Sequence, residues 1–231
     1  MQARRSTFKS ALPILVLLLL AWLSILMLQI SLSYWPWRDD TGFLILKQDV
    51  VQLPLWRLAF QLHVATSSMV LLAGFTQFWP WLRRRQPRWH RRFGYLYVVG
   101  VLGLAAPTGL VLALYASGGW PTQLCFVLLG LLWIGCTVLA LRRAQQRQWQ
   151  AHQTWMIRSY ALTLAALSLR TWKLGLYELA PYWDWLTPRH IYQLEAWLGW
   201  LVNLLIAEWL IYRLAKRTNT TRLASPQPNN S

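Results

Sequence analysis

Charge is scarce in this sequence. Only 13% of its 231 residues are charged, about half the share found in ordinary soluble domains, where it is roughly a quarter. Just 7 of the charged residues are acidic, while 56% of the chain is hydrophobic. A chain of that composition has too little polar surface to clothe a soluble fold. Cysteine is nearly absent: Cys125 and Cys136 fall in one apolar run, about 16 Å apart along a helix, too far for a disulfide. No zinc-ligand spacing involves them. A glycine-rich phosphate loop, an HExxH motif and a GxSxG elbow are all missing. The shortage of acids beside histidines leaves no material for a Ser-His-Asp triad. No channel filter is visible, and Pro107 is the only sign of a broken helix, where a transporter built on inverted repeats would show a pair.

The sequence is rich instead in long apolar runs. Six stretches approach the roughly 20 residues needed to cross hydrocarbon: residues 11–32, 55–79, 93–115, 121–141, 155–175 and 193–213. The first follows Arg4, Arg5 and Lys9 but is too long for the core of a signal peptide, so it is expected to be retained. The expected fold is all-α, a polytopic six-transmembrane-helix bundle forming one domain over residues 1–215. A tail over residues 216–231, rich in Thr, Asn, Pro and Ser, has the composition of disorder. Of 23 basic residues, 16 sit in short segments that this threading puts on one side. The positive-inside rule then places both termini in the cytoplasm of a bacterial inner membrane. Topology and attraction to membrane lipids account for the net charge of +16 without a nucleic-acid partner. The 17 tryptophans sort in the same way. Trp35, Trp37, Trp56, Trp120, Trp172, Trp183, Trp185, Trp197 and Trp200 fall at the outer boundary; Trp79, Trp81, Trp89, Trp149 and Trp155 fall at the inner one. These are the aromatic belts of a membrane protein.

Ionisable groups inside a membrane are costly, which makes them the first functional candidates. His63 lies about two turns into the second run and His190 just before the sixth, both toward the outer face. His90 and His152 stand at the inner starts of the third and fifth. Two imidazoles near each face, each from a different helix, match what a membrane cytochrome b needs for haem iron. At 100° per residue His63, Ser67, Val70, Gly74 and Gln77 form one stripe that faces a bundle. His90, Gly94 and Tyr97 begin a second stripe, and Pro107 is expected to bend that helix and free a carbonyl. Arg158, about a turn inside the inner boundary, is suited to meet an anion such as a haem propionate or a quinone oxygen. Glu208 is the one acid on the inner half, and its expected partners are Arg158 or the inner basic loops.

Certain of these residues carry a family likeness. His63 with Gly74 and Gln77, His90-Arg91 with Gly94 and Tyr97, and His152 followed by Trp155-Met156-Ile157-Arg158-Ser159-Tyr160 resemble the predicted bacterial membrane proteins of domain-of-unknown-function family 2306. The likeness runs over residues 62–170 and includes Arg170; Tyr95 stands where the family pattern has arginine. It implies a membrane location and no established activity. A looser resemblance, in helix number and in histidines near both faces, is to the six-helix ascorbate-reducible cytochromes b. Two functional expectations follow. The concrete one is b-type haem or quinone-linked electron transfer, with His63, His90, His152 and His190 as iron ligands and Arg158, Tyr97 and Gln77 supporting the cofactor. The alternative is a cofactor-free membrane protein that binds a lipid or small amphiphile, or that assembles with another membrane protein.

Overall fold

The computed structural model describes residues 2–224, with side chains at residue 15 and residues 18–216. These residues form helices α1 (Gln2–Leu32), α2 (Pro54–Gln77), α3 (Pro80–Arg85), α4 (Pro87–Gly100), α5 (Ala106–Leu114), α6 (Trp120–Gln145), α7 (Trp149–Thr163), α8 (Ala165–Leu179) and α9 (Pro188–Ala224). Proline opens many of them. It stands in the first turn of α2, α3, α4, α6 and α9, where its fixed φ suits a helix start and its missing N–H costs nothing. The part of the expected tail beyond Ala224 lies outside the described residues.

The span count differs from the expectation of six. Among the described residues four helical segments are long and apolar enough to cross a membrane: Pro54–Gln77, Pro87–Leu114, Trp120–Gln145 and Pro188–Lys216. The first expected run is helical, but its described apolar part, Leu18–Leu32, is too short to qualify. The fifth is not one helix. It breaks at Leu164, whose ψ opens to −10° from the helical value near −42°. The two pieces, α7 and α8, are each too short to span. The protein is an all-α polytopic membrane protein with four such helices among the described residues, not the expected six.

Two local interruptions shape the bundle. Between α4 and α5 a π-helical turn, Val101–Ala105, immediately precedes Ala106-Pro107. Pro107 supplies no N–H, and the wider turn absorbs the mismatch as an i→i+5 bond from Ala106 N to the Val101 carbonyl. The second interruption, at Leu164, contains neither proline nor glycine. Its backbone gap is filled from α9: Asn203 Nδ2 donates to the Ala161 carbonyl at 3.1 Å, and Asn203 Oδ1 accepts from Ser168 Oγ at 2.8 Å. One amide thus splints both halves of the broken helix.

Packing follows chain order, with α2 against α4, α6 against α7 and α8 against α9. The core is aromatic: Tyr97, Trp133, Tyr160 and Trp200 are all buried. Gly74 makes the contact between α2 and this core, since a Cβ there would lie 2.6 Å from the Tyr160 ring and 2.8 Å from that of Tyr97. On the inner side, Arg158 donates to both oxygens of Glu208, at 2.5 and 2.9 Å, while its guanidinium lies 4.6 Å from the centre of the Trp155 ring. Two tryptophans expected in the outer belt, Trp56 and Trp200, are instead buried.

Asn203→Leu is expected to strand the Ala161 carbonyl and the Ser168 hydroxyl, at about 1–3 kcal/mol for each orphaned group. Thermal unfolding in detergent, followed by circular dichroism, should show a clear drop in Tm. An unchanged Tm would mean that the break needs no splint.

Candidate functional site

The two interruptions border a cavity of about 350 Å³. Its walls come from α1, α2, α5, α6, α8 and α9, and they are mostly apolar, with Leu71, Ala105, Leu129, Ala166 and Leu169 among them. Its floor is at the level of Trp133 and Thr163. Its roof is the segment after α1, including Tyr34, Phe43 and Lys47, together with Tyr115. That roof is held on by its own chemistry. Tyr34 Oη accepts the Phe43 N–H at 3.1 Å, and its ring meets Phe60 edge-on. Lys47 reaches across the bundle to donate to the Tyr115 carbonyl at 2.6 Å. Burial pushes the Lys47 ammonium below the ordinary lysine range, with Asp49 pulling the other way.

His63 is part of the wall. Its Nδ1 lies 2.8 Å from the Ala105 carbonyl, and because a carbonyl only accepts, the proton is on Nδ1. Nε2 is then left as an acceptor. The ring rests against Gly109, where a Cβ would stand 3.1 Å from Cε1. Ala105 closes the π-helical turn, so the bend ahead of Pro107 is what presents a carbonyl to the histidine.

Beneath the cavity lies a closed hydroxyl network. Tyr97 Oη is 2.6 Å from Ser159 Oγ and 2.8 Å from Thr163 Oγ1. Trp133 Nε1 donates to Thr163 Oγ1 at 3.0 Å. Ser159 Oγ is 2.7 Å from Thr137 Oγ1, which donates to the Trp133 carbonyl. Thr163 ends on the Ser159 carbonyl. A consistent set of donors exists in which the tyrosine donates to Ser159 and Ser159 to Thr137. Every proton is then used, and the network is a lock between α4, α6 and α7.

The other sequence candidates lie elsewhere. His152 is at the inner end, with Nδ1 donating to the Ala140 carbonyl at 2.9 Å. His90 has both Arg83 and His152 as electrostatic neighbours. The Nδ1 of His90 is buried without a partner among the described residues. Gln77 donates to the His90 carbonyl and to Thr76, bringing the two inner stripes together. His190 is in the outer loop, its Nδ1 2.6 Å from the Trp185 carbonyl and 3.1 Å from Thr187 Oγ1. Arg158 is committed to Glu208. The four histidines therefore do not form one cluster, and no group of three His, Cys, Asp or Glu residues suited to a metal ion occurs among the described residues. Lys47 and Tyr34 escape a reading of the sequence, because the irregular segment that carries them has no helical period to place them by.

The family model described as a predicted membrane protein, DUF2306, matches residues 60–211. The chain belongs to this family. Its matched region takes in most of the cavity wall and the whole hydroxyl network, but not the roof segment that carries Tyr34, Phe43 and Lys47. No curated protein matches the chain, and no solved structure does.

Tyr97→Phe is expected to cost about 1 kcal/mol, the net worth of an ordinary buried hydrogen bond, and to lower Tm. The same change at Tyr95, whose ring is exposed, should leave Tm unmoved and serves as the control.

Proposed function

We propose that this membrane protein binds a small amphiphile, without a cofactor, in the cavity between α2, α5, α6 and α8. The cavity itself carries this reading. It is a largely apolar chamber with a few polar side chains, of the size and character typical of small-molecule sites. At about 350 Å³ the chamber is near the small end of ligand sites, which run from about 300 to 1,000 Å³, and it suits a single chain or a ring with a short tail. A chamber of this kind at membrane depth draws its occupant from the surrounding bilayer.

Electron transfer is supported less well by what surrounds the cavity. His63 is the one histidine in its wall among the described residues, and its Nδ1 proton is held by Ala105. The closest pairing, His90 with His152, lies away from the cavity at the inner end. The binding reading asks of the histidines only packing and hydrogen bonding.

The test is to purify the protein in a synthetic detergent, extract it and identify what co-purifies by mass spectrometry. A single-chain amphiphile near one per protein is expected. It should be lost from Ala166→Phe, which fills the chamber, and retained when an exposed residue such as Leu205 is changed to Phe. A Soret band in the purified protein, lost on changing His90 or His152 to Ala, would replace this reading with the redox one.

A further inference from the structure

The cavity bears the most specific inference, and it rests on the binding reading above. We infer that the occupant carries a negatively charged head, seated at the outer end of the cavity between Lys47 and Arg170, with its tail descending toward Trp133.

Of the charged side chains among the described residues, only Lys47 and Arg170 line the cavity, and both are cationic. Lys47 spends one of its three N–H groups on the Tyr115 carbonyl. Arg170 spends part of its guanidinium on the Ala166 carbonyl at 2.6 Å. Both retain donors, and neither lies within ion-pair distance of a carboxylate among the described residues. The acids near them are Asp49, which acts on Lys47, and Glu195, which acts on Arg170 and is shared with Lys173. Neither acid lines the chamber. The lining therefore carries two cations and no carboxylate. Tyr34 and Tyr192 add hydroxyls to it, and the rest of the wall is mostly apolar, with Ser31, His63, Ser67 and Thr163 among its other polar side chains. A planar guanidinium and an ammonium in one lining suit a carboxylate or phosphate head, and placing that head at the roof leaves the tail in the mostly apolar part. A neutral head would leave both cations without a counter-charge inside the chamber itself.

The experiment uses the full chain in nanodiscs of phosphatidylcholine. The probe is cis-parinaric acid, titrated by mole fraction in the bilayer and read by energy transfer from tryptophan, since Trp56 and Trp133 line the cavity. Its methyl ester is the uncharged counterpart. The acid is expected to bind at least tenfold more tightly than the ester. Arg170→Gln and Lys47→Gln should each bring the ratio toward one while leaving the ester's affinity unchanged, and Arg170→Lys should keep most of the preference. Palmitate and palmitoyl lysophosphatidate as competitors then show whether a carboxylate or a phosphate head displaces the probe better. Equal affinities for acid and ester in the unaltered protein would overturn the charge inference yet leave the cavity reading standing. Failure of both to bind would overturn the cavity reading itself. A preference that survives both glutamine substitutions would overturn the assignment to these two residues.

Discussion

The constraint on which this structure depends is that a polypeptide inside hydrocarbon must satisfy its own backbone polar groups. This chain interrupts its helices twice within the bundle, and each time a side chain from another helix fills the gap. His63 on α2 donates to Ala105 at the π-helical turn. Asn203 on α9 donates to Ala161 where α7 gives way to α8. Remove Asn203 and the Ala161 carbonyl faces an apolar interior; remove His63 and the Ala105 carbonyl keeps only Thr108 Oγ1 as a side-chain donor, at 3.2 Å. The interruptions also make the cavity, because helices that bend or break at mid-height cannot pack along their whole length. The cavity is the geometric remainder of two backbone defects, each mended from outside its own helix.

The polar residues accordingly fall into three groups. Some, such as Asn203 and the Tyr97–Ser159–Thr137 chain, hold elements in place. Arg158 and Glu208 cancel one another on the side of the bundle, forming a neutral bidentate unit backed by Trp155; pairing lowers the cost of placing two charges at membrane depth. Lys47 and Arg170 remain, facing a chamber with no acid in its lining. The distinction between structural and ligand-facing polarity rests on which groups have spent their hydrogen bonds on the protein itself.

Much of this was legible in the sequence where helical period applies. The stripe from His63 to Gln77 faces the bundle as a 100° repeat requires: Ser67 borders the cavity, Val70 is buried and Gly74 meets two tyrosine rings. The pairing of Glu208 with Arg158 was one of two options that depth and charge left open. The break at Leu164 was hidden, because Leu164-Ala165-Ala166 are good helix formers and the residue that stabilises the break is remote, in α9. With α1 described as an apolar helix only over Leu18–Leu32, that hidden break leaves four spanning segments among the described residues where six were expected. Trp56 was misplaced for a related reason: an indole near a helix end looks alike in sequence whether it meets headgroups or the underside of a loop. Trp200, well inside α9, is drawn into the core, where its Nε1 donates to Cys125 Sγ at 3.1 Å.

The roof has a consequence for how the molecule is made. The cavity is bounded by Met27 near one end of the chain and by Tyr192 near the other. During synthesis, α1 and the roof segment enter the bilayer long before α8 and α9 exist. Until the last wall arrives, the half-built chamber stands open sideways to the acyl chains around it. The arrival of α8 and α9 must therefore displace acyl chains from the space they wall off, so the last step of assembly is a competition between protein and lipid for the same volume.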